Sequence, residues 1–159
     1  MNLKQRRVVT GHDANGKAVV LKDEISQNVS SRRAGQEGCV VWATHQSPAD
    51  NNDEADRSTA QTGTTSVGGT VFRIVRYEPG VQPRMHRSNS IDYAVVLEGS
   101  IVMQMDNGVE VTLNRGDALV QRGTVHNWIN RGTVPCVIAF VLIDAKPVEI
   151  GGKELGPVN

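Results

Sequence analysis

The chain has no long apolar run and no net charge, and these two absences exclude certain classes of binding partner. Its longest apolar run covers residues 137–143, far short of the roughly 20 residues that a bilayer-spanning helix needs. Lys and Arg together number 17, and Asp and Glu also number 17. Without a net field there is nothing to attract nucleic acid or an anionic membrane surface, so the sequence predicts neither kind of partner.

The chain is also poor in cysteine and has no pattern typical of a signal peptide. The basic start, residues 1–7, is followed by only Val8 and Val9 before polar residues, which is too short for the apolar core of such a peptide. Cys39 and Cys136 are the only cysteines. Without secretion they are expected to be buried thiols rather than a disulfide. These features predict a cytoplasmic protein.

No segment keeps the apolar spacing of a long amphipathic helix. Short alternating runs separated by Gly, Asn and Asp dominate instead, which is typical of strands. The predicted strands are 6–10, 17–22, 38–44, 70–77, 91–97, 100–106, 109–114, 117–121, 125–130 and 136–144. Asn107-Gly108 predicts a type I′ hairpin turn. Many short strands without helices favour an all-β fold, a closed antiparallel β-barrel or a sandwich.

The length of 159 residues suits a single domain, 1–159, because a chain of this size can bury one core. We expect N-terminal strands in 1–44, a flexible loop in 45–69, a core barrel in 70–144 and a C-terminal tail in 145–159. The loop prediction rests on a near absence of apolar residues, which leaves too little surface to bury.

Two motifs carry the residues suited to chemistry. The first runs from Gly80 to Gly99 and contains His86, Ser88 and Asp92, and the second runs from Gly116 to Asn130 and contains Gly123 and His126. Their spacing resembles the paired motif of the cupin family. Ser88 stands where that family has a second His, Asp92 replaces a Glu, and Arg122 replaces a Pro. The resemblance implies a jelly roll, also called a double-stranded β-helix, that commonly holds a metal.

A closer resemblance is carried by residues 85–93, 96–99, 116–124 and 139–144. These segments are similar to small single-domain cupins of fungi and bacteria, whose fungal members often accompany polyketide synthases. The resemblance implies an enzyme that tailors a small polyketide-like or aromatic carbonyl compound in secondary metabolism, as a dehydratase, an isomerase or an oxidoreductase. A non-catalytic cupin that binds a small molecule is the alternative.

The predicted catalytic residues are His86, Asp92 and His126, and the same three are the candidate metal ligands. Two imidazoles and one carboxylate suit a divalent metal such as Fe, Mn, Ni or Zn. A metal-free acid/base site is equally compatible with these residues, with Asp92 orienting the imidazole of His126 and raising its pKa. Two buried histidines with only a structural role are a third reading.

Strand alternation predicts which side chains share the barrel lumen. Asp92 is expected to face inward with Ala94 and Val96, and His126 with Trp128, which makes a narrow, apolar lumen for a small organic ligand. The predicted substrate-binding residues are Ser88, Gln121 and Trp128. The family resemblance implies a homodimer, with Val40, Val41 and Trp42 as interface residues.

Overall fold

A computed structural model describes residues 2–59 and 63–158. Its strands are β1 Arg6–His12, β2 Ala18–Ile25, β3 Val29–Arg33, β4 Gln36–Ala43, β5 Thr70–Tyr77, β6 Ser90–Glu98, β7 Ser100–Met105, β8 Glu110–Asn114, β9 Ala118–Arg122, β10 His126–Ile129, β11 Cys136–Asp144, β12 Val148–Ile150 and β13 Lys153–Leu155. A single 3₁₀ turn, Arg57–Thr59, is the helical element of the described residues. The all-β fold class is confirmed.

Two antiparallel sheets form the body of the protein. The larger has six strands in the order β3-β4-β5-β11-β6-β9, and the smaller has three in the order β10-β7-β8. The core cluster draws on both sheets, with Val71 and Ile138 from the larger and Ile101 from the smaller all at most 2% exposed. Full burial of a side chain of this size stabilises the fold by about 1.5–3 kcal/mol.

Alternation along β6 decides which side chains reach the interior. Asp92, Ala94 and Val96 are buried, while Tyr93 and Val95 are exposed. This is the period of two that a strand with one buried face imposes. The predicted inward face of β6 is therefore confirmed, and it places a carboxylate among apolar side chains.

Some local predictions were wrong or incomplete. Strand β3 was not predicted because polar residues cover most of its length, and the hairpin β12–β13 was not predicted because each of its strands has only three residues. Among described residues only glycines have positive φ, so the turn at Asn107 is not type I′, which needs two such residues. Gly108 alone has φ of 83° and closes a three-residue loop. Of the predicted loop in 45–69, residues 60–62 lie outside the described part.

Two other sequence predictions can be compared with the fold. Cys39 and Cys136 are both buried free thiols, so the prediction of reduced structural cysteines is confirmed. Burial raises the pKa of Cys136 to about 11, which keeps this thiol protonated and unreactive. Within the described residues no helix is long and apolar enough to cross a membrane.

Candidate functional site

Two histidines meet where the connection between β5 and β6 crosses the start of β10. His86 and His126 pair through their backbones, each N–H donating to the other residue's carbonyl at 3.0 Å. The paired backbones bring the imidazole rings together, with their centroids 4.3 Å apart and their planes 47° apart. The sequence motifs are thus joined directly by their two histidines.

The protein binds each imidazole through its Nδ1 atom. Nδ1 of His86 lies 3.1 Å from the carbonyl oxygen of Arg84, to which it donates a hydrogen bond as N–H. Nδ1 of His126 lies 2.6 Å from Nε2 of Gln121 and 3.0 Å from the carbonyl oxygen of Thr124. No hydrogen bond from residues 2–59 or 63–158 reaches either Nε2 atom. Each ring therefore keeps Nε2 for a ligand.

The partners of Nδ1 assign different tautomers to the two rings. His86 carries its proton on Nδ1, so its Nε2 has a free lone pair. Gln121 donates from Nε2 to Oγ1 of Thr124 at 2.7 Å, and with the amide in this orientation its second N–H points to Nδ1 of His126. Nδ1 of His126 also faces the carbonyl oxygen of Thr124 at 3.0 Å, so its tautomer is an assignment, which follows the shorter Gln121 contact of 2.6 Å and puts the proton on Nε2. The pair therefore offers a proton acceptor at Nε2 of His86 and a neutral proton donor at Nε2 of His126.

Both imidazoles are neutral at ordinary pH. Burial lowers the pKa of His126 to about 4, and the neighbouring His86 lowers it further, while the carbonyl of Thr124 beside Nδ1 opposes the change. Burial also lowers the pKa of His86, with the charges of Arg84 and Arg33 acting in the same direction. The expectation that Asp92 raises the pKa of His126 is therefore wrong, because Nδ1 of His126 contacts Thr124 and Gln121 and not Asp92.

Asp92 lies in the same cavity but is engaged elsewhere. It accepts a hydrogen bond of 2.5 Å from Oγ of Ser90, whose hydroxyl also contacts Oγ of Ser88 at 3.1 Å. Burial raises the pKa of Asp92, while the Ser90 hydrogen bond and the charge of Arg73 oppose that shift.

The candidate metal ligands do not form a matching cluster. In the described part of the chain no three His, Cys, Asp or Glu side chains come close enough to hold an ion together. The two imidazoles supply nitrogen donors, but the carboxylate needed for a facial triad is held by Ser90. The three-ligand site at His86, Asp92 and His126 therefore has no geometric support, and it stays a prediction.

The cavity beside the histidine pair is lined by arginines. Its enclosed part measures about 50 Å³, and the cavity is half open to solvent. Guanidinium groups come from β3, from β5 and from the segment before His86, and they belong to Arg32, Arg33, Arg73 and Arg84. Rings and apolar side chains complete the wall, including Tyr77, Trp128 and Phe140. The predicted apolar lumen with few polar groups is therefore wrong at this end of the barrel.

Several known proteins are similar in sequence to this chain over most of its length. A family described as "Cupin domain" (Cupin_2) matches residues 73–143. A "Cupin-domain-containing oxidoreductase fogC" of Aspergillus ruber is 36% identical, and the match covers 94% of this chain and 77% of that protein. The chain belongs to the cupin family. This cupin is also 41% identical to "Phomopsin biosynthesis cluster protein C'" of Diaporthe leptostromiformis, over 96% of its own length and 85% of that protein.

One solved structure supports the fold assignment. The polyketide cyclase RemF of Streptomyces resistomycificus superposes with a TM-score of 0.55 at 18% identity, over 87% of this chain and 84% of that one. At this identity the likeness concerns the fold. The predicted double-stranded β-helix is thus confirmed.

The predicted substrate-binding residues of this cupin take three different positions. Trp128 lines the arginine cavity, where its ring meets that of His126 edge to face at 5.6 Å. Gln121 is 4% exposed and lies behind His126, so it positions the ring. Ser88 is joined to Asp92 through Ser90 and does not line the cavity. Of the three, Trp128 is placed to contact a ligand.

Sequence reasoning missed the arginines of this cupin, although one signal was present. Val71, Arg73, Val75 and Tyr77 alternate on the buried face of β5. A charged residue at an inward position of an otherwise apolar strand is a reason to expect a functional group, since unpaired charges are rarely buried. Arg33 on β3 gave no such signal, because that strand itself was not predicted.

Proposed function

We propose that this cupin is an enzyme that moves protons on a small polyketide-like or aromatic carbonyl compound in secondary metabolism, as an isomerase or a dehydratase. The observation that carries the proposal is the neutral histidine pair, whose two rings line one cavity and have no hydrogen bond to Nε2 from the described residues. His86 has a free lone pair and His126 a proton. Proton abstraction beside a carbonyl needs these two groups together.

The reaction begins when Nε2 of His86 takes a proton from the carbon next to the carbonyl. The electrons of that C–H bond form a C=C bond, and the carbonyl oxygen becomes an enolate oxygen. The N–H of His126 donates a hydrogen bond to this oxygen, as a neutral imidazole can. Return of the proton to another carbon completes isomerisation. In dehydration the proton held by His86 leaves with the substrate hydroxyl as water.

Relatives support a role in secondary metabolism and also suggest a second candidate reaction. Similar proteins belong to phomopsin biosynthesis clusters and others are named oxidoreductases. In an oxidation, two protons and two electrons would leave the substrate: His86 would take one proton, and an acceptor such as oxygen would take the two electrons and the second proton. Because this route consumes an acceptor, oxygen uptake and the metal content of the purified protein separate it from proton transfer.

Hydrogen exchange tests the proposed function directly. We expect the protein to catalyse incorporation of deuterium from D₂O beside the carbonyl of 3-benzoylpropionate and of its neutral amide, 3-benzoylpropionamide, measured by mass spectrometry. His86→Ala removes the base and is expected to lower the exchange rate by about 100-fold or more. His45→Ala is the matched control, since His45 is half exposed and outside the cavity. Binding without exchange would favour the non-catalytic alternative.

We further propose that the protein works as a homodimer in the cytoplasm. Support for a dimer comes from apolar side chains left exposed on the outer face of the larger sheet, among them Tyr93 at 50% and Val120 at 60%. Exposed apolar patches of this kind mark interaction surfaces. Val41 and Trp42 lie beneath the β1–β2 hairpin, close to one end of that face.

A further inference from the structure

The histidine pair shares its cavity with several cations that lack a carboxylate partner. None of the ion pairs among the described residues includes Arg33, Arg73 or Arg84. Among the described residues Asp92 is the one carboxylate in the cavity wall, and Ser90 donates a hydrogen bond to one of its oxygens. Positive charge therefore exceeds negative charge in the wall of this cavity.

Hydrogen-bond donors of these arginines are also unused. Nε of Arg73 and both Nε and Nη1 of Arg33 are buried without a partner among residues 2–59 and 63–158. Arg73 is 9% exposed, and only its Nη2 is engaged, with the carbonyls of Gly63 and Thr64. Buried polar groups are normally satisfied, and an unsatisfied charged group is costly. A bound anion would satisfy both the charge and the donors.

The other side chains of the cavity wall indicate which chemical groups the anion has besides its negative charge. Tyr77, Trp128 and Phe140 offer aromatic surface on the same cavity, and the rings of Trp128 and Phe140 meet edge to face at 5.7 Å. Flat apolar walls suit an aromatic or conjugated body, while a planar guanidinium fork matches the two oxygens of a carboxylate.

We infer that the substrate is an aromatic or conjugated carboxylic acid, bound as its anion by Arg33, Arg73 and Arg84 with its carbonyl group toward the histidine pair. The inference rests on the proposed function for the direction of the carbonyl, but the carboxylate site itself stands on the arginines. The substrate is then supplied by a reaction that releases a free acid, such as hydrolysis of a thioester.

Calorimetric titration with 3-benzoylpropionate, and separately with 3-benzoylpropionamide, tests the carboxylate site without requiring turnover. We expect the acid to bind at least ten-fold more tightly than the amide, because charge-assisted hydrogen bonds to guanidinium are lost with the charge. Arg33→Gln and Arg84→Gln should each weaken binding of the acid by about ten-fold and leave binding of the amide nearly unchanged. Arg115→Gln removes one exposed charge elsewhere and is the matched control.

Arg73 is buried, so its variants need a check of folding. Arg73→Lys keeps the charge but not the planar fork, and Arg73→Gln removes both, so affinity for the acid should fall in that order while circular dichroism stays unchanged. Equal affinity for acid and amide, equal weakening by Arg115→Gln, or tighter binding of inorganic phosphate than of 3-benzoylpropionate would overturn the inference. Binding of the acid without deuterium exchange would refute the proposed function and leave the carboxylate site standing.

Discussion

Gln121 determines the chemical character of His126, because its amide nitrogen Nε2 lies 2.6 Å from Nδ1. Replacing the amide by a carboxylate changes this contact from a donor to an acceptor. In Gln121→Glu we expect the proton of His126 to move to Nδ1 and the pKa of this imidazole to rise from about 4 by a unit or more. Exchange activity should fall at least ten-fold, since the N–H that faces the substrate is lost.

Nitrogen NMR of the histidine rings measures both effects, because protonated and unprotonated ring nitrogens differ in chemical shift. Gln121→Met is the companion variant, since it removes the contact without adding charge and should lower kcat with little change in KM. An unchanged tautomer in Gln121→Glu would contradict the positioning role assigned to Gln121.

The neutral state of His126 also has a consequence for stability. Its folded pKa of about 4 lies below the ordinary value of about 6.5 in the unfolded chain. Between these values the unfolded state binds more protons, so the free energy of unfolding falls as pH is lowered from 6.5 toward 4. Above pH 6.5 this contribution is constant.

Lowering the pH from 6.5 toward 4 should therefore reduce the free energy of unfolding less in His126→Phe than in the parent. We expect the two reductions to differ by roughly 1 to 3 kcal/mol. Urea unfolding at pH 7 and at pH 4.5 measures the difference, with His12→Phe as the control because His12 is exposed. A parallel pH dependence in parent and His126→Phe would show that His126 titrates normally.

At the level of elements, one buried arginine holds the N-terminal hairpin against the loop that follows β4. Arg7 is 5% exposed and binds Glu24 and Asp56, each through contacts as short as 2.6 Å, as well as the hydroxyl of Ser58 at 2.7 Å. Burial alone would raise the pKa of the Asp56 carboxyl. Hydrogen bonds from Arg7 and Ser58 outweigh this effect and lower the pKa.

Removing Arg7, which is itself buried, takes away the closest cation of Asp56 and leaves this partly buried carboxylate with Lys22 at 3.4 Å. We expect Arg7→Met to cost about 3–5 kcal/mol of unfolding free energy, measured by urea denaturation. Arg6→Met is the matched control on the neighbouring residue: its pair with Asp23 is exposed, so we expect a much smaller loss. Similar losses in the two variants would contradict a buried network.

The strands that the sequence predicted well are those with one buried face. β5 and β11 coincide with the predicted 70–77 and 136–144, because alternation of apolar residues records burial directly. β3 escaped prediction since its residues 29–33 are mostly polar and exposed. The histidine pair was predictable from motif spacing, whereas the engagement of Asp92 by Ser90 depends on rotamers and on the strand register, which spacing does not encode.

At the scale of the whole molecule, the outer face of the larger sheet carries a continuous apolar row. Strand register places Trp42 beside Phe72, Phe72 beside Val141, Val141 beside Tyr93 and Tyr93 beside Val120. Phe72, Tyr93 and Val120 are 37%, 50% and 60% exposed. A row that crosses five strands fits a second copy of the same sheet, because a two-fold axis pairs identical patches.

Light scattering at micromolar concentration should therefore report a dimer. The double variant Tyr93→Lys with Val120→Lys places two charges in the centre of the apolar row, where like charges face each other across the two-fold axis. We expect it to be a folded monomer, since unpaired charges are depleted from interface cores. Val134→Lys is the control, being 60% exposed in the turn before β11, and it should stay dimeric. A parent protein that is monomeric at this concentration would refute the proposed dimer, and the apolar row would then need another partner.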